Sequence, residues 1–514
     1  MRSLVLWLAI VGSAVAIGLV PALRAVSPFW PAFVAVAVIL VTRQAAAGLA
    51  AGVIAGSLIL AGGKPIEALR LGLGEHLFPQ FEGAWHIGAL VFTLLLGSFA
   101  GLLERSGGFD SLLKRMIRGG GDPRRRVLGS VYGMGLLCFF DGLANSMLIG
   151  RIARQAVDRT GISREKLAWV VDSTSSPVAC VAFISTWIAT QLTLIRDSLP
   201  ELNAYELYFR SIPGNPYCVL TLILVPLAIF LRWEPRAMRR YRPVAGETDD
   251  EDRRSTAAWR VLVPLFVLAA GIAVSFQLWS GHPVNLFSLD AWREAASGQA
   301  GPVALVAGAL GGLFAAWLCY PADASSPASK TAVDGAAGLL PALVILVLAW
   351  TLGSIFEALG AAAATKEMLG ENVGPAWLPL AVFATASITA FSTGSSWGTM
   401  ALIMPLALGV LREGVPPDIV ASTAPAVIGA VFGGAVFGDH ASPFSDTSIV
   451  SAMAAGCQPL DHILSQLPYA LTVATAAGLG YALIAAGLHP AAATGLAGLV
   501  LGGWVILRTR RQPG

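Results

Sequence analysis

The stretch Phe437-Gly438-Asp439-His440-Ala441-Ser442-Pro443-Phe444-Ser445-Asp446-Thr447-Ser448 decides the fold. It gathers two carboxylates, an imidazole, four hydroxyls and a proline, yet it lies inside the apolar run Ile419 to Ala455. Proline removes a backbone donor and disfavours helix in the residue before it, so a helix built from this run is expected to unwind at the Ser-Pro step. A second run, Leu167 to Ile195, contains Asp172-Ser173-Thr174-Ser175-Ser176-Pro177, again an aspartate followed shortly by Ser-Pro. Two broken helices are therefore expected, at 167–195 and 419–455.

Other apolar stretches run from Pro28 to Thr42, Ala45 to Ala61, Ala84 to Leu103, Val127 to Val157, Tyr217 to Leu231, Val261 to Leu278, Pro302 to Leu318, Gly335 to Ile355, Trp377 to Leu411, Ile463 to Leu488 and Ala491 to Leu507. Their recurrence along 514 residues marks a polytopic membrane protein. Composition agrees: the chain is 55% hydrophobic and only 13% charged, about half the charge of a soluble protein. A net charge of +3, with basic residues in short loops, excludes a nucleic-acid binder. The cysteines Cys138, Cys180, Cys218, Cys319 and Cys457 lie far apart without a CxxC pair, so neither a disulfide framework nor a zinc site is indicated. Arg2 followed by Leu4 to Val20 imitates a signal peptide but is also long enough for a first span; the span is the reading adopted, because many follow it.

Charge sets the topology. Glu104 to Arg126 holds seven basic residues (Arg105, Lys114, Arg115, Arg118, Arg124, Arg125, Arg126), and Arg151 to Lys166 holds five (Arg151, Arg154, Arg159, Arg164, Lys166). Both flanks of Asp141 thus read as cytoplasmic by the positive-inside rule, which one crossing cannot satisfy. A re-entrant hairpin over 127–157 resolves this. Trp377 to Leu411, interrupted at Ser392 to Ser396, is its counterpart at 377–411. Three spans, a hairpin and two spans then fill 28–232 and again 261–488, joined by a charged cytoplasmic linker at 233–260 with the acidic cluster Asp249, Asp250, Glu251, Asp252. Adding a leading span at 1–27 and a final span with a basic tail at 489–514 gives an all-α inverted-topology repeat. The expected total is about 12 transmembrane helices plus two re-entrant hairpins, with both termini cytoplasmic.

The chemistry must lie where charge enters the membrane. Asp141, Asp172, Asp439 and Asp446 fall inside membrane segments, and an ionised residue at the bilayer centre costs roughly 2.5 to 3.5 kcal/mol. A carboxylate that binds either Na+ or H+, but not both, couples two fluxes, because burial favours the protonated form and a bound cation the charged one. Oxygen ligands suited to a hard cation surround these acids: Asn145, Ser173, Thr174, Ser395, Ser396, Thr399, Ser442, Ser445 and Thr447. Each hydroxyl also has a plain alternative, bonding its own helix backbone. His440 is a candidate pH sensor, or a structural hydrogen-bonding residue. Trp187 and Trp397 read most simply as packing residues. Gly394, Ser396 and Gly398 match GxSxG, but that elbow belongs to a strand-to-helix turn, so a hydrolase is not indicated.

Asp439 to Thr447 with Ala455-Gly456-Cys457, Asp461-His462 and Gln466-Leu467-Pro468-Tyr469-Ala470 resembles the NhaC family of Na+/H+ antiporters. Ile162-Ser163-Arg164-Glu165-Lys166-Leu167 leading into Asp172-Ser173-Thr174, Ile184-Ser185-Thr186-Trp187, and Gly394 to Thr399 are further points of similarity. The resemblance implies a transporter of the bacterial inner membrane, not an enzyme, with no cofactor. It implies Na+ or Li+ and protons as cargo, the lipid bilayer as surroundings, and Asp172, Asp439 and Asp446 with neighbouring hydroxyls as site. A homodimer is compatible with it. The alternative is a Na+-coupled exchanger of a small organic anion or amino acid, which a basic residue facing the site would favour.

Overall fold

A computed structural model describes residues 27–42, 44–118, 120–183, 185–243, 256–279, 300–361, 374–413, 415–443 and 445–510, with the single positions 12 and 364. The leading span (residue 12 apart) and the acidic cluster at 249–252 lie outside the described residues. The regular structure described is helical throughout.

In the first half the helices are α1 (Trp30–Thr42), α2 (Ala45–Leu60), α3 (Pro65–Arg70), α4 (Ala84–Arg105), α5 (Gly108–Ile117), α6 (Pro123–Leu137), α7 (Gly142–Arg159), α8 (Arg164–Val181), α9 (Thr186–Ser198), α10 (Ala204–Ser211) and α11 (Pro216–Leu231). The second half holds α12 (Trp259–Trp279), α13 (Ala300–Cys319), α14 (Ala328–Gly338), α15 (Leu340–Ala358), α16 (Leu378–Thr393), α17 (Ser396–Arg412), α18 (Pro417–Ala441), α19 (Asp446–Ala455), α20 (Pro459–Ala485) and α21 (Pro490–Arg510). Among the described residues seven helical segments are long and apolar enough to cross a membrane, or nine if α8 with α9 and α10 with α11, each bent by more than 40°, count as one span apiece.

Four interruptions organise the interior, and each is closed by a side chain that caps the next helix. Asp141 accepts from Ala144 N at the start of α7, Ser185 from Ile188 N at α9, Ser395 from Gly398 N at α17, and Ser445 from Ser448 N at α19. Such caps satisfy donors that a helix start leaves open. Gly394, at φ 69°, ends α16 in a left-handed conformation that a side chain would resist.

One break is displaced from its expected place. Pro177 sits inside α8, which continues to Val181 and ends at the extended Ala182, with Ser185 capping α9. The reason lies in where freed carbonyls find donors: the Ser185 hydroxyl donates to Ala179 O at 2.7 Å, and the Tyr208 hydroxyl reaches Ala182 O at 2.6 Å and Cys180 O at 3.1 Å. In α18 and α19 the opening does fall at Ser442–Ser445.

Packing brings the halves together. Residues Lys166 to Cys180 of α8 are all buried, and α8 touches α6, α7, α11, α19 and α20. Helix α18 lies against α16 so closely that a Cβ at Gly438 would run into the Ala390 Cβ, the close approach small residues permit. Across the halves, α19 packs on α7 and α9 packs on α17.

Candidate cation-binding site

Asp172 is the centre. It lies more than two turns into α8, fully buried, and four side chains from α19 and α20 converge on its carboxylate. Oδ2 accepts from Ser448 Oγ at 2.7 Å, from Gln466 Nε2 at 2.7 Å and from His462 Nε2 at 3.2 Å; Oδ1 accepts from Ser451 Oγ at 3.2 Å. Gln466 also donates to His440 O at 2.9 Å, tying the end of α18 to the same point. His440 Nε2 lies 3.2 Å from Asp172 O, and because a carbonyl only accepts, Nε2 carries the proton. In the neutral ring Nδ1 then accepts from the Tyr217 hydroxyl at 3.0 Å.

The other expected residues divide into those at this centre and those elsewhere. Asp439 is fully buried, and its carbonyl lies 2.5 Å from the Ser448 hydroxyl that also reaches Asp172. Ser442 ends α18, buried, and Ser445 caps α19 with its hydroxyl 2.9 Å from Thr447 Oγ1. Asp446 opens α19, but its side chain lies outside the described residues. Asp141 is bound into the first hairpin's tip: Oδ1 accepts from Ala144 N at 2.7 Å and Oδ2 from Thr186 Oγ1 at 2.9 Å, which fastens the tip to the start of α9. Asn145 donates to Gly135 O at 2.8 Å across that hairpin. Thr174 donates back to Val170 O at 2.6 Å, the plain alternative for a helical hydroxyl, while Ser173 is buried beside it. Ser395 caps α17; Ser396 and Thr399 are buried.

Sequence reasoning left out Ser448, Ser451, His462, Gln466 and Tyr217. The spacing signal was present. His462 and Gln466 stand four apart on α20, and Ser448 and Ser451 three apart on α19, so each pair shares a helix face in otherwise apolar surroundings. Lys166, counted above among loop residues, is instead 3% exposed. Its ammonium donates to Tyr469 OH at 2.8 Å, stands 3.5 Å from Glu234 and lies 4.3 Å over the Trp169 ring. Among the described residues no group of three or more His, Cys, Asp or Glu is placed to hold a metal ion.

Membrane-length helices, some of them bent at a break, and a buried carboxylate hydrogen-bonded from the other half of the chain are features of a polytopic secondary transporter. The chain belongs to the Na+/H+ antiporter family, whose profile matches residues 178–486. An uncharacterized protein of Haemophilus influenzae is 29% identical over 92% of this chain and 93% of its own length. Over 136 residues, 26% of this chain and 28% of the other, the protein is 32% identical to the malate-2H+/Na+-lactate antiporter of Bacillus subtilis. Among solved structures the Alcanivorax borkumensis YdaH transporter shares the fold, with a TM-score of 0.52 and 17% identity over 84% of this chain and 90% of that one.

Proposed function

We propose that this protein exchanges Na+ for H+ across the bacterial cytoplasmic membrane by alternating access, with Asp172 as the shared carboxylate. The observation that carries the reading is that Asp172, on the first half's broken helix, is held by Ser448, Ser451, His462 and Gln466 from the second half. A site assembled from both halves can be opened to either side by moving one half against the other. Sodium would be bound by Asp172 with Asp439, Asp446 and nearby hydroxyls, and a proton would replace it on the same set. Among the described residues Asn145 Oδ1, Ser176 Oγ, Ser396 Oγ, Thr399 Oγ1 and Gln466 Oε1 are buried without a protein hydrogen-bond partner, and Gln466 already touches Asp172 through its other amide atom. Buried polar atoms are rarely left so.

The two successions of hairpin and broken helix, α6 to α9 and α16 to α19, support the inverted repeat with re-entrant hairpins and twelve crossings. The arginine-rich end, with Arg105, Arg124, Arg154 and Arg164, would face the cytoplasm. The function is transport rather than catalysis, without a cofactor. The organic-anion alternative is not favoured, since the buried Lys166 is turned to Tyr469 and Glu234.

In everted vesicles, added Na+ or Li+ should dissipate an imposed proton gradient, and Asp172→Asn should lower that flux at least about 100-fold while leaving a folded, monodisperse protein. Unchanged sodium-driven proton flux in the variant would sink the site assignment, and no flux in the parent chain would sink the exchange.

A further inference from the structure

An open cavity of about 820 Å3 lies at the end of the bundle opposite the arginine cluster, between α4, α9, α15 and α17. Leu194 and Asp197 of α9, Gly353 and Glu357 of α15, and Pro405 and Gly409 of α17 line it. Two tryptophans stand deeper on the same two helices. Trp187 precedes Leu194 by seven residues and Trp397 precedes Pro405 by eight, so each lies about 10 to 12 Å below the cavity floor and on roughly the same face of its helix. There the two rings meet edge to face, with centroids 5.9 Å apart.

Beneath the rings the polar interior begins. A Cβ built at Gly142, in the first hairpin's tip, would lie 3.7 Å from Trp187 Nε1 and 3.7 Å from Ser175 O. The Ser175 hydroxyl in turn reaches Asp172 O at 3.2 Å. The order from the open end is therefore cavity, indole pair, hairpin tip and carboxylate. A tight apolar constriction excludes water and hydrated ions by dewetting, without any charge of its own.

We propose that Trp187 and Trp397 form the gate between this cavity and the buried carboxylate centre, closed in the present conformation. One ring is carried by the first half's broken helix and the other by the second half's hairpin, so movement of the halves separates the pair. Around the cavity Asp197 is paired with His86 at 3.1 Å and Arg412 with Glu201 at 3.0 Å, which leaves Glu357 and Glu413 to give the entrance a field that favours cations. This deepens the transport reading above and rests on it for what passes the gate, but the closure itself is measurable without transport.

The test uses the full chain in proteoliposomes with a charged, membrane-impermeant methanethiosulfonate on both faces, the unsubstituted chain correcting for native thiols. Ser198→Cys, in the cavity, should be labelled in every background and shows that the cavity has formed. Ser175→Cys, below the rings, should be protected. Adding Trp187→Ala should speed its labelling about ten-fold, and Trp187→Phe should restore protection, as expected of a hydrophobic constriction. Trp397→Ala, on the half-exposed partner, should open the same path, and it serves if Trp187→Ala does not fold. Labelling of Ser175→Cys as fast as Ser198→Cys, or protection that survives both alanine variants, would overturn the gate. Absent sodium-driven proton flux in the parent with this labelling pattern intact would overturn the exchange and leave the gate standing.

Discussion

At the arginine-rich end, α7 of the first hairpin lies against α19, the second arm of the other half's broken helix; at the opposite end, α17 of the second hairpin lies against α9 in the same relation. The two contacts are closed by different means. Gly150 brings the α7 backbone so near α19 that an added Cβ would stand 2.7 Å from Ala454 Cβ and 3.2 Å from its carbonyl carbon. Arg154 donates to Met453 O at 3.1 Å and Ala454 O at 2.8 Å, and Arg164 donates to Gly456 O at 3.3 Å while pairing with Asp158 at 3.2 Å. Guanidinium groups thus occupy the carbonyls that end α19, where the helix dipole favours positive charge. Between α9 and α17 there is a cavity, and the Trp187–Trp397 contact lies below it. Close backbone approach and guanidinium groups on helix-end carbonyls hold one end, whereas a ring contact and an exposed Arg412–Glu201 pair beside an open cavity hold the other. The exchange proposed above needs the two ends to differ in this way at any moment, and the difference lies in a few side chains rather than in the helix arrangement.

The most direct way to break the contrast is Gly150→Val. The new side chain meets backbone as well as Ala454, so the helices must part, at a cost of about 1 to 3 kcal/mol. The expected result is a lower melting temperature and faster thiol labelling of the native Cys457, which follows Gly456 at the clamp; unchanged values of both would show that the contact is looser than drawn. Arg154→Ala is a milder challenge. It removes two hydrogen bonds at a partly exposed site, worth about 1 kcal/mol together after solvent replaces them, and should raise Cys457 labelling less than Gly150→Val does. A substitution at the open end should behave oppositely. A Cβ at Gly353 makes only an ordinary 3.5 Å contact with Pro405, so Gly353→Leu should leave melting unchanged while narrowing the cavity and slowing the proposed sodium flux several-fold. Equal losses of stability at Gly353 and Gly150 would erase the contrast.

The smallest effect concerns acid. Donation from Arg232, 2.7 Å away, holds the Asp122 carboxyl below its usual range, and this pair ties the start of α6 to the end of α11. A depressed folded-state value contributes stability that is present above about pH 4 and lost as pH falls through the lower folded-state value. The pair is exposed, so the effect is slight: the acid limb of the melting temperature measured between pH 3 and 6 should be shallower in Asp122→Asn than in the parent.

Legibility from sequence followed the same division. Asp172 was found as a charge in an apolar run, because insertion energetics depend only on the residue and its neighbours in the chain. Its donors were not, since Ser448 and Gln466 lie 276 and 294 residues away and only folding sets them beside it. Pro177 misled for a related reason. It shows where a backbone donor is missing, but the helix opened where Ser185 and Tyr208 could take over the freed carbonyls. Lys166 read as one more loop cation until Trp169 and Tyr469 were seen to enclose it.

By itself the sequence determined a helical, membrane-embedded chain with acids inside its apolar runs, since hydropathy, proline and capping residues act over one or two turns. The tertiary structure decided which acid is central, which polar groups serve it and which end stands open. Those outcomes depend on glycine contacts a few ångströms wide and on side chains hundreds of residues apart, and no local pattern in the chain encodes either.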